Sequence, residues 1–337
     1  MAQKPKSLGE LALIEQIRRS LPGRSNQVAL GIGDDCAILR PPPGHEILVT
    51  TDFSLENRHF RRDLHPATSV GHRCLARGLS DLAAMGASPI AAFLSLALPA
   101  DMVRTRPGQR WIKGFFDGLR SLARQHNTTL AGGDTSESPT GLILADIVLV
   151  GSAPAGRSLR RSGARPGDVL YVTGSLGGAH AELSALLTSN RPSRATVSPS
   201  HPHLYPQPRL KVGGALLRRH LATAAIDISD GLSTDLTHLC ESSRLRAEID
   251  ATTIPLHPIT NKLSPDQALP SALHGGEDYE LLFAASPSTR MPRSIAGVPI
   301  TRIGTLLPYR ANKSRITLTH STESPIELKP AGWQHFS

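Results

Sequence analysis

The stretch Gly31-Ile32-Gly33-Asp34-Asp35-Cys36-Ala37 decides how the rest of the chain is interpreted, together with its sequel Val49-Thr50-Thr51-Asp52. Two adjacent aspartates stand in a glycine turn, and the next apolar run ends in Thr-Thr-Asp. Adjacent carboxylates repel each other, and a divalent cation relieves that repulsion. Mg²⁺ takes oxygen ligands and is often shared between a few carboxylates and substrate phosphates. The stretch therefore predicts a Mg²⁺-dependent nucleotide enzyme, although Gly-Asp turns are also common without a metal.

Two further aspartates support this interpretation. Asp81 stands on the apolar face of a predicted helix over 66–85, where a carboxylate needs a partner or a metal to offset its desolvation. Asp134 follows Gly132-Gly133 in a predicted turn between two strands. Glycines in such a turn let a phosphate approach the backbone closely.

The stretch Asp227-Ile228-Ser229-Asp230-Gly231 places two more aspartates where a predicted buried strand ends and a helix begins. A simpler interpretation is that Asp230 is only the N-cap of that helix. Each acidic segment is a weak signal alone, but five of them in one chain favour a metal site. No Walker A pattern, protein-kinase motif set or G-x-G-x-x-G spacing accompanies them.

Four other positions are candidates for binding, each with a plainer alternative. Arg161 offers a guanidinium to phosphate, or is a solvated surface residue. His59 lies in a polar loop after the Thr-Thr-Asp run, where a surface histidine is the alternative. Glu277, after Gly275-Gly276, binds a cationic ligand or forms a turn with Asp278. Trp333 is either a core plug or an aromatic platform for a flat cationic ring.

The composition bounds the class of protein. The chain has 337 residues, so it suits one large or two ordinary domains, which we place at 1–150 and 151–337. Strands and helices alternate without a strict βαβ rhythm, which predicts two α/β domains with mixed or antiparallel sheets. The proline-rich segment from Ser189 to Pro208 reads as an exposed, mobile loop.

Charge, hydropathy and cysteine content exclude several partners. The net charge is +9, yet no long Lys/Arg run with interleaved aromatics suggests nucleic acid. No apolar run of 18 residues predicts a membrane span. The three cysteines form neither a paired framework nor a metal spacing, which predicts a cytoplasmic enzyme.

Seven motifs carry a resemblance to a known family: GIGDDCAIL, TTDF followed by NRHF, LSDLAAMGASP, AGGDTS, RSGARPGD after a Gly-Arg, DISDGLSTDL and HGGEDYELLF. With these motifs the chain resembles the thiamine-monophosphate kinases. That family belongs to the larger group typified by aminoimidazole ribonucleotide synthetase. One departure is His274, which stands before the Gly-Gly turn where a small residue would be less surprising.

The resemblance implies ATP-dependent phosphorylation of thiamine monophosphate to thiamine diphosphate, the last step of thiamine diphosphate biosynthesis. It implies a two-domain fold, an N-terminal domain that binds ATP and Mg²⁺, and a C-terminal α/β domain closing the substrate cleft. It also implies a homodimer in which the N-terminal sheets meet across a two-fold axis. ATP is then the phosphoryl donor, and several Mg²⁺ ions are the cofactors.

The resemblance also assigns roles residue by residue. The metal positions are Asp35, Thr50, Thr51, Asp52, Asp81, Asp134, Asp227 and Asp230, with the adjacent Asp34 sharing the role. The ATP positions are Gly133, Asp134, Arg161 and Ser229, with Phe116 beside the nucleotide. The substrate positions are His59, Glu277 and Trp333.

Elementary chemistry agrees with these implied roles. The acceptor is already a phosphate, so its oxygen is ionised and needs no strong general base. We therefore predict metal-assisted in-line transfer, with no catalytic nucleophile and no covalent intermediate.

Two alternatives stay open. One is a sibling enzyme of the same fold, such as a ligase that uses an acyl phosphate, or selenide water dikinase, although residues 1–30 hold no cysteine for the latter. The other is a non-catalytic nucleotide-binding protein, which would be expected to lose some acidic turns.

Overall fold

The computed structural model describes residues 14–15, 17–19, 25–32, 36–320 and 324–333, apart from the side chain of Pro265. Gly33, Asp34 and Asp35 of the predicted metal turn lie outside these residues. The chain divides into two compact units. The first comprises Met1–Leu79, Ser88–Ala155 and Ser189–Ser198, and the second Ser80–Ala87, Gly156–Thr188 and Pro199–Ser337.

The elements up to residue 155 form the first unit, except that helix α1 also continues into residues assigned to the second. They are β1 (Val28–Leu30), β2 (Ile38–Leu39), β3 (His45–Leu55), α1 (Ala67–Ala84), β4 (Ser88–Leu98), α2 (Ala100–Arg104), α3 (Arg106–Gln125), β5 (Thr129–Glu137) and β6 (Leu144–Pro154). The described part of the chain contains no helix long and apolar enough to cross a membrane.

A four-stranded sheet organises the first unit, with the strand order β3-β6-β4-β5. Strand β6 pairs antiparallel with both β3 and β4, whereas β4 and β5 are parallel. Helices α1 and α3 approach each other closely, because a Cβ on Gly71 or Gly118 would lie 1.8 Å from a carbonyl oxygen of the facing helix. On β3, alternate apolar residues stay exposed, so one face of the sheet is left uncovered at this edge.

The predicted Gly-Gly-Asp turn is wrong, because Gly132, Gly133 and Asp134 lie inside strand β5. Gly133 has φ +147°, and a Cβ there would be 1.9 Å from the carbonyl oxygen of Leu94. Only glycine therefore lets β5 run on along β4 at this point. The parallel pairing, in which Asp134 lies opposite Ser95, keeps the segment extended.

The elements after residue 155 belong to the second unit. They are β7 (Val169–Thr173), α4 (Gly178–Ser189), α5 (Leu210–Arg218), β8 (Ala224–Ile228), α6 (Leu232–Ser243), β9 (Leu245–Asp250), α7 (Pro265–His274), β10 (Glu280–Ala285), β11 (Ser294–Ile295), β12 (Val298–Pro308), β13 (Ile316–Thr319) and β14 (Ile326–Glu327), with 3-10 turns at Ala251–Thr253 and Pro258–Lys262.

A second, mixed sheet has the strand order β14-β13-β9-β12-β7-β10-β8, with β11 paired to β12. Its strands are antiparallel except where β13 runs parallel to β9. Strand β8 lies at one edge and is buried along its whole length. The predicted α/β fold with mixed sheets is thus confirmed, and the end of β8 is where the acidic turn begins.

The proline-rich segment is only partly the exposed loop predicted from its composition. His203, Leu204 and Tyr205 are buried to within 2% exposure. The carboxylate of Glu182 accepts the backbone N–H groups of His203 and Leu204, at 2.9 and 3.3 Å. Because these N–H groups are hydrogen-bonded to a carboxylate on helix α4, the segment can be buried at this point.

Candidate active site

The turn between β8 and α6 is the main cluster of predicted site residues in the second unit. Asp227 is the second-last residue of β8 and is only 3% exposed. Its Oδ2 accepts a 2.7 Å hydrogen bond from the hydroxyl of Ser80, which directly precedes Asp81 on α1. The predicted metal positions Asp81 and Asp227 therefore lie on neighbouring parts of the second unit.

Asp235, which the sequence analysis missed, shapes this turn. Its Oδ2 lies 3.1 Å from each of three backbone nitrogens, those of Ser229, Asp230 and Gly231, and accepts their N–H groups. Burial, followed by the charges of Asp227 and Asp230, raises the pKa of Asp235 to about 8. The signal in the sequence was an acid one helical turn after the Asp-Gly pair.

The N-cap alternative for Asp230 is wrong. Gly231 occupies the N-cap position of α6, with φ +109°. A Cβ at that position would also lie 2.9 Å from the carbonyl of His274. Gly231 thus supplies the backbone conformation, while the three turn N–H groups are satisfied by Asp235.

Two more predicted residues meet this turn through their backbones. Glu277 donates its N–H to the carbonyl of Ser229 at 2.8 Å, and Trp333 donates its N–H to the carbonyl of Asp230 at 3.0 Å. Trp333 is 43% exposed, so the core-plug alternative is wrong. One turn therefore gathers two predicted substrate residues, Glu277 and Trp333, with Ser229 and Asp230.

The segment that carries Glu277 is held in a fixed conformation. Glu277 has φ +67° and Tyr279 has φ +51°, values that non-glycine residues seldom adopt. The carboxylate of Asp278 accepts the N–H groups of Gly177 and Ala179. Burial raises the pKa of Asp278 to about 7, against the effect of these two donors. Asp278 is therefore a structural acceptor for the start of α4.

A second group of predicted residues lies at the end of β3 in the first unit. Arg77 Nε is 3.5 Å from Asp52 Oδ1. Arg73, one turn earlier on α1, donates to the carbonyl of His59 at 2.8 Å. His59 Nδ1 accepts the N–H of Leu55 at 3.0 Å, which places the proton of a neutral ring on Nε2. Asp52 and His59 are thus both held against α1.

The three consecutive residues at the end of β3 do not share one face. Thr50 and Asp52 point to one side of the strand, and Thr51 to the other. The Thr51 hydroxyl donates to Asp146 Oδ1 at 2.7 Å on the uncovered face of the sheet.

A third group surrounds an apolar pocket of about 100 Å³ in the first unit. The residues that line it include Phe116, Gly133, Asp134 and Thr135. Strands β3 and β5 are at opposite edges of the sheet. Three interstrand spacings, about 14 Å in total, therefore separate this group from Thr50 and Asp52.

Arg161 is exposed, and its carbonyl accepts a 2.6 Å hydrogen bond from the Ser243 hydroxyl. Within the described residues, no group of three or more His, Cys, Asp or Glu side chains converges closely enough to hold a metal ion. Asp34 and Asp35 are not among the described residues.

Comparison with known proteins places the chain in a family. The AIR synthase related protein, N-terminal domain, matches residues 33–153, and the corresponding C-terminal domain matches residues 165–291. The thiamine-monophosphate kinase of Escherichia coli (strain K12) is 38% identical over 338 residues, which is 98% of each chain. The chain belongs to the thiamine-monophosphate kinase family.

Solved structures of this family have the same fold. Thiamine-monophosphate kinase from Stenotrophomonas maltophilia K279a matches with a TM-score of 0.78 and 35% identity, over 94% of this chain and 98% of that one. AaThiL complexed with AMPPCP and TMP matches with a TM-score of 0.73 and 29% identity, over 100% of both chains.

Proposed function

We propose that this chain transfers the γ-phosphoryl group of ATP to the phosphate of thiamine monophosphate, giving thiamine diphosphate and ADP. The observation that carries the proposal is the full-length match to the family, including a structure named as a complex with AMPPCP and TMP. The meeting of Ser229, Asp230, Glu277 and Trp333 at one turn of the second unit supports it.

The reaction needs positioning and charge neutralisation more than proton transfer. A terminal oxygen of the acceptor phosphate attacks the γ-phosphorus, and the bond from that phosphorus to the β,γ-bridging oxygen breaks. ADP leaves with that oxygen and its electron pair. Because the attacking oxygen is already ionised, no nucleophilic side chain or strong base is required. A phospho-enzyme trapped with radiolabelled ATP would contradict this direct transfer.

Mg²⁺ is the proposed cofactor, and the donor chemistry fits it. Burial, and after it the charges of Asp227 and Asp230, raise the pKa of Asp235, so three acidic groups lie close together where a cation would relieve their repulsion. We assign the metal positions to hard oxygen donors, namely Asp34, Asp35, Thr50, Thr51, Asp52, Asp81, Asp134, Asp227 and Asp230. Bound Mg²⁺ would neutralise charge on the reacting phosphates.

The remaining residues are assigned to the two substrates. Phe116 and Gly133 share the apolar pocket with Asp134, which supports an adenine or ribose position there. Arg161 and Ser229 are assigned to the phosphates of ATP. His59, whose Nδ1 accepts the N–H of Leu55, is assigned to the phosphate of thiamine monophosphate. Glu277 and Trp333 attract the positively charged thiazolium.

A coupled assay of ADP release tests the assignment. Wild-type protein with Mg·ATP is expected to release ADP only when thiamine monophosphate is added. Asp52→Asn is expected to lose at least about 100-fold in kcat/KM, as for removal of a group that stabilises transition-state charge. Asp101→Asn, an exposed aspartate on α2 of the same unit, is the matched control and should keep wild-type activity. Equal activity of Asp52→Asn and the control would contradict the metal assignment.

We also propose that the protein is a homodimer formed through the first unit. Strand β3 is an 11-residue edge strand, and Val49 and Phe53 are 65% and 60% exposed on its uncovered face. A long apolar edge is an open template for pairing unless it is covered. In sedimentation the wild type should have twice the 36.0 kDa mass of the chain, and Val49→Lys should have the mass of a single chain. Leu187→Lys, an exposed apolar position in the second unit, should stay dimeric.

The division into domains at 1–150 and 151–337 and the cytoplasmic location remain our predictions. The changeover between the compact units near residue 155 supports the division. The free state of Cys36, Cys74 and Cys240 is compatible with a reducing compartment.

A further inference from the structure

The residues Ala331, Gly332 and Trp333, which we call the C-terminal strap, lie along the start of helix α6. Three successive backbone N–H groups of the strap are donated to this helix start. Ala331 donates to Ser233 Oγ at 3.4 Å, Gly332 to Thr234 Oγ1 at 3.2 Å and Trp333 to the carbonyl of Asp230 at 3.0 Å. The strap is therefore docked by its backbone, while Trp333 as a whole residue remains 43% exposed.

The strap fits closely at Gly332. A Cβ at this position would lie 1.9 Å from the carbonyl oxygen of Asp230 and 2.7 Å from Thr234 Oγ1. The first of these is a backbone atom that cannot rotate away. A side chain at Gly332 would therefore push the strap off the turn.

His274 provides the support on the other side of Ser233. Its Nδ1 lies 2.9 Å from Ser233 Oγ, and Ser233 is fully buried. Burial lowers the pKa of His274, which favours its neutral ring. In the tautomer that carries its proton on Nε2, Nδ1 accepts from the Ser233 hydroxyl, whose oxygen in turn accepts the N–H of Ala331.

We propose that His274 is a positioning residue that acts through Ser233 to dock the C-terminal strap and so fix Trp333 beside the Asp230 turn. His274 is the residue that departs from the small side chain expected before the Gly-Gly turn. The chain thus builds a His274–Ser233–Ala331 connection from the end of α7 to the strap. The consequence for substrate binding rests on the proposed function, because it assigns Trp333 to the thiazolium of thiamine monophosphate.

Amide hydrogen exchange of the strap measures docking without any use of activity, because its three N–H groups are the ones donated to the helix start. His274→Ala should speed exchange of these amides by about fivefold, the factor expected for one lost hydrogen bond. His274→Asn should restore much of the protection, since its side-chain oxygen can accept from Ser233. Gly332→Ala should speed exchange by a separate route, through the clash with Asp230. His238→Ala, exposed on α6, and Lys329→Ala, exposed just before the strap, are the controls.

Steady-state kinetics with both substrates measures how strap docking affects the binding of thiamine monophosphate. The His274→Ala and Gly332→Ala variants should raise KM for thiamine monophosphate by about fivefold, with KM for ATP within about twofold of wild type. His274→Asn should lie between wild type and His274→Ala.

The two measurements separate the possible failures. Unchanged strap exchange in His274→Ala would overturn the docking role. Faster exchange with an unchanged KM for thiamine monophosphate would overturn the positioning role. Faster exchange in a protein whose wild type does not phosphorylate thiamine monophosphate would leave the docking in place and refute the proposed function. If His274→Ala does not fold, His274→Leu, which keeps the bulk but offers Ser233 no polar partner, answers the docking question by the same exchange measurement. Gly332→Ala tests only whether strap docking sets KM for thiamine monophosphate.

Discussion

The imidazole Nδ1 of His203 lies 3.1 Å from Oε2 of Glu277, and the His203 side chain is only 1% exposed. The two groups lie within ion-pair distance, and the contact is charged only when the His203 ring is protonated. Glu182 holds the same segment, because its Oε1 is 2.7 Å from Nδ1 of His201. A part of the chain that composition describes as a loop is therefore a fixed neighbour of a proposed substrate residue.

We expect His203→Phe, which keeps a ring but removes the nitrogens, to weaken binding of thiamine monophosphate. Glu277 has an unusual positive φ, so it depends on its neighbours to stay in place. KM for thiamine monophosphate should rise about fivefold, the size of one lost polar contact, while KM for ATP changes little. His320→Phe, at a partly exposed histidine of the second unit, is the control. An unchanged KM in His203→Phe would show that the contact is incidental.

Arg209 and Glu280 form a largely buried ion pair in the second unit. The guanidinium donates to both oxygens of Glu280, with Nε 2.6 Å from Oε2, and the Thr173 hydroxyl donates to the same carboxylate. Glu280 is 4% exposed. Arg209→Met leaves a buried carboxylate without its cation, so unfolding free energy should fall by about 3–5 kcal/mol.

Urea unfolding measures this loss, and the double variant Arg209→Met/Glu280→Met is the informative companion. Because it removes both charges, it should recover a large part of the lost stability. A double variant as unstable as Arg209→Met would mean that packing, not the unpaired charge, causes the effect.

The raised pKa of Asp235 should make the stability of the metal-free protein depend on pH. Its folded pKa of about 8 is above its ordinary value of 3.8, because of burial and the nearby charges of Asp227 and Asp230. Between these values the folded protein holds a proton that the unfolded chain has lost. Its stabilising contribution is therefore complete below about pH 4 and is lost as pH rises to about 8.

Chelator-treated protein should accordingly lose stability in urea from pH 5 to pH 8, and Asp235→Asn should lose less over the same range. Asp250→Asn, an aspartate whose pKa is lowered by its hydrogen bonds to Thr252, is a control that should not remove the decline. Equal declines in wild type and Asp235→Asn would contradict the raised pKa.

The sequence predicted the acidic turn between β8 and α6, because the motif DISDGLSTDL is local and rich in acidic residues. It did not predict that Gly133 and Asp134 lie within a strand. That outcome depends on parallel pairing with β4, about 40 residues earlier, and on a close approach to Leu94 that composition does not encode.

The buried part of the proline-rich segment was missed for a related reason. Proline and histidine are typical of exposed loops, but the backbone N–H groups of His203 and Leu204 are donated to Glu182, which allows both residues to be buried. Asp235 was missed because its role is to satisfy backbone groups, and an acid inside the first turns of a helix is ordinary. Tertiary partners, rather than local pattern, decided each of these cases.

Product analysis tests the central claim most directly. Wild-type protein is incubated with Mg·ATP and thiamine monophosphate, and all thiamine and adenine species are separated by chromatography. The account predicts thiamine diphosphate and ADP in equal amounts, with neither formed when thiamine monophosphate or Mg²⁺ is withheld. ATP consumption without thiamine diphosphate, or no reaction in the complete mixture, would contradict it.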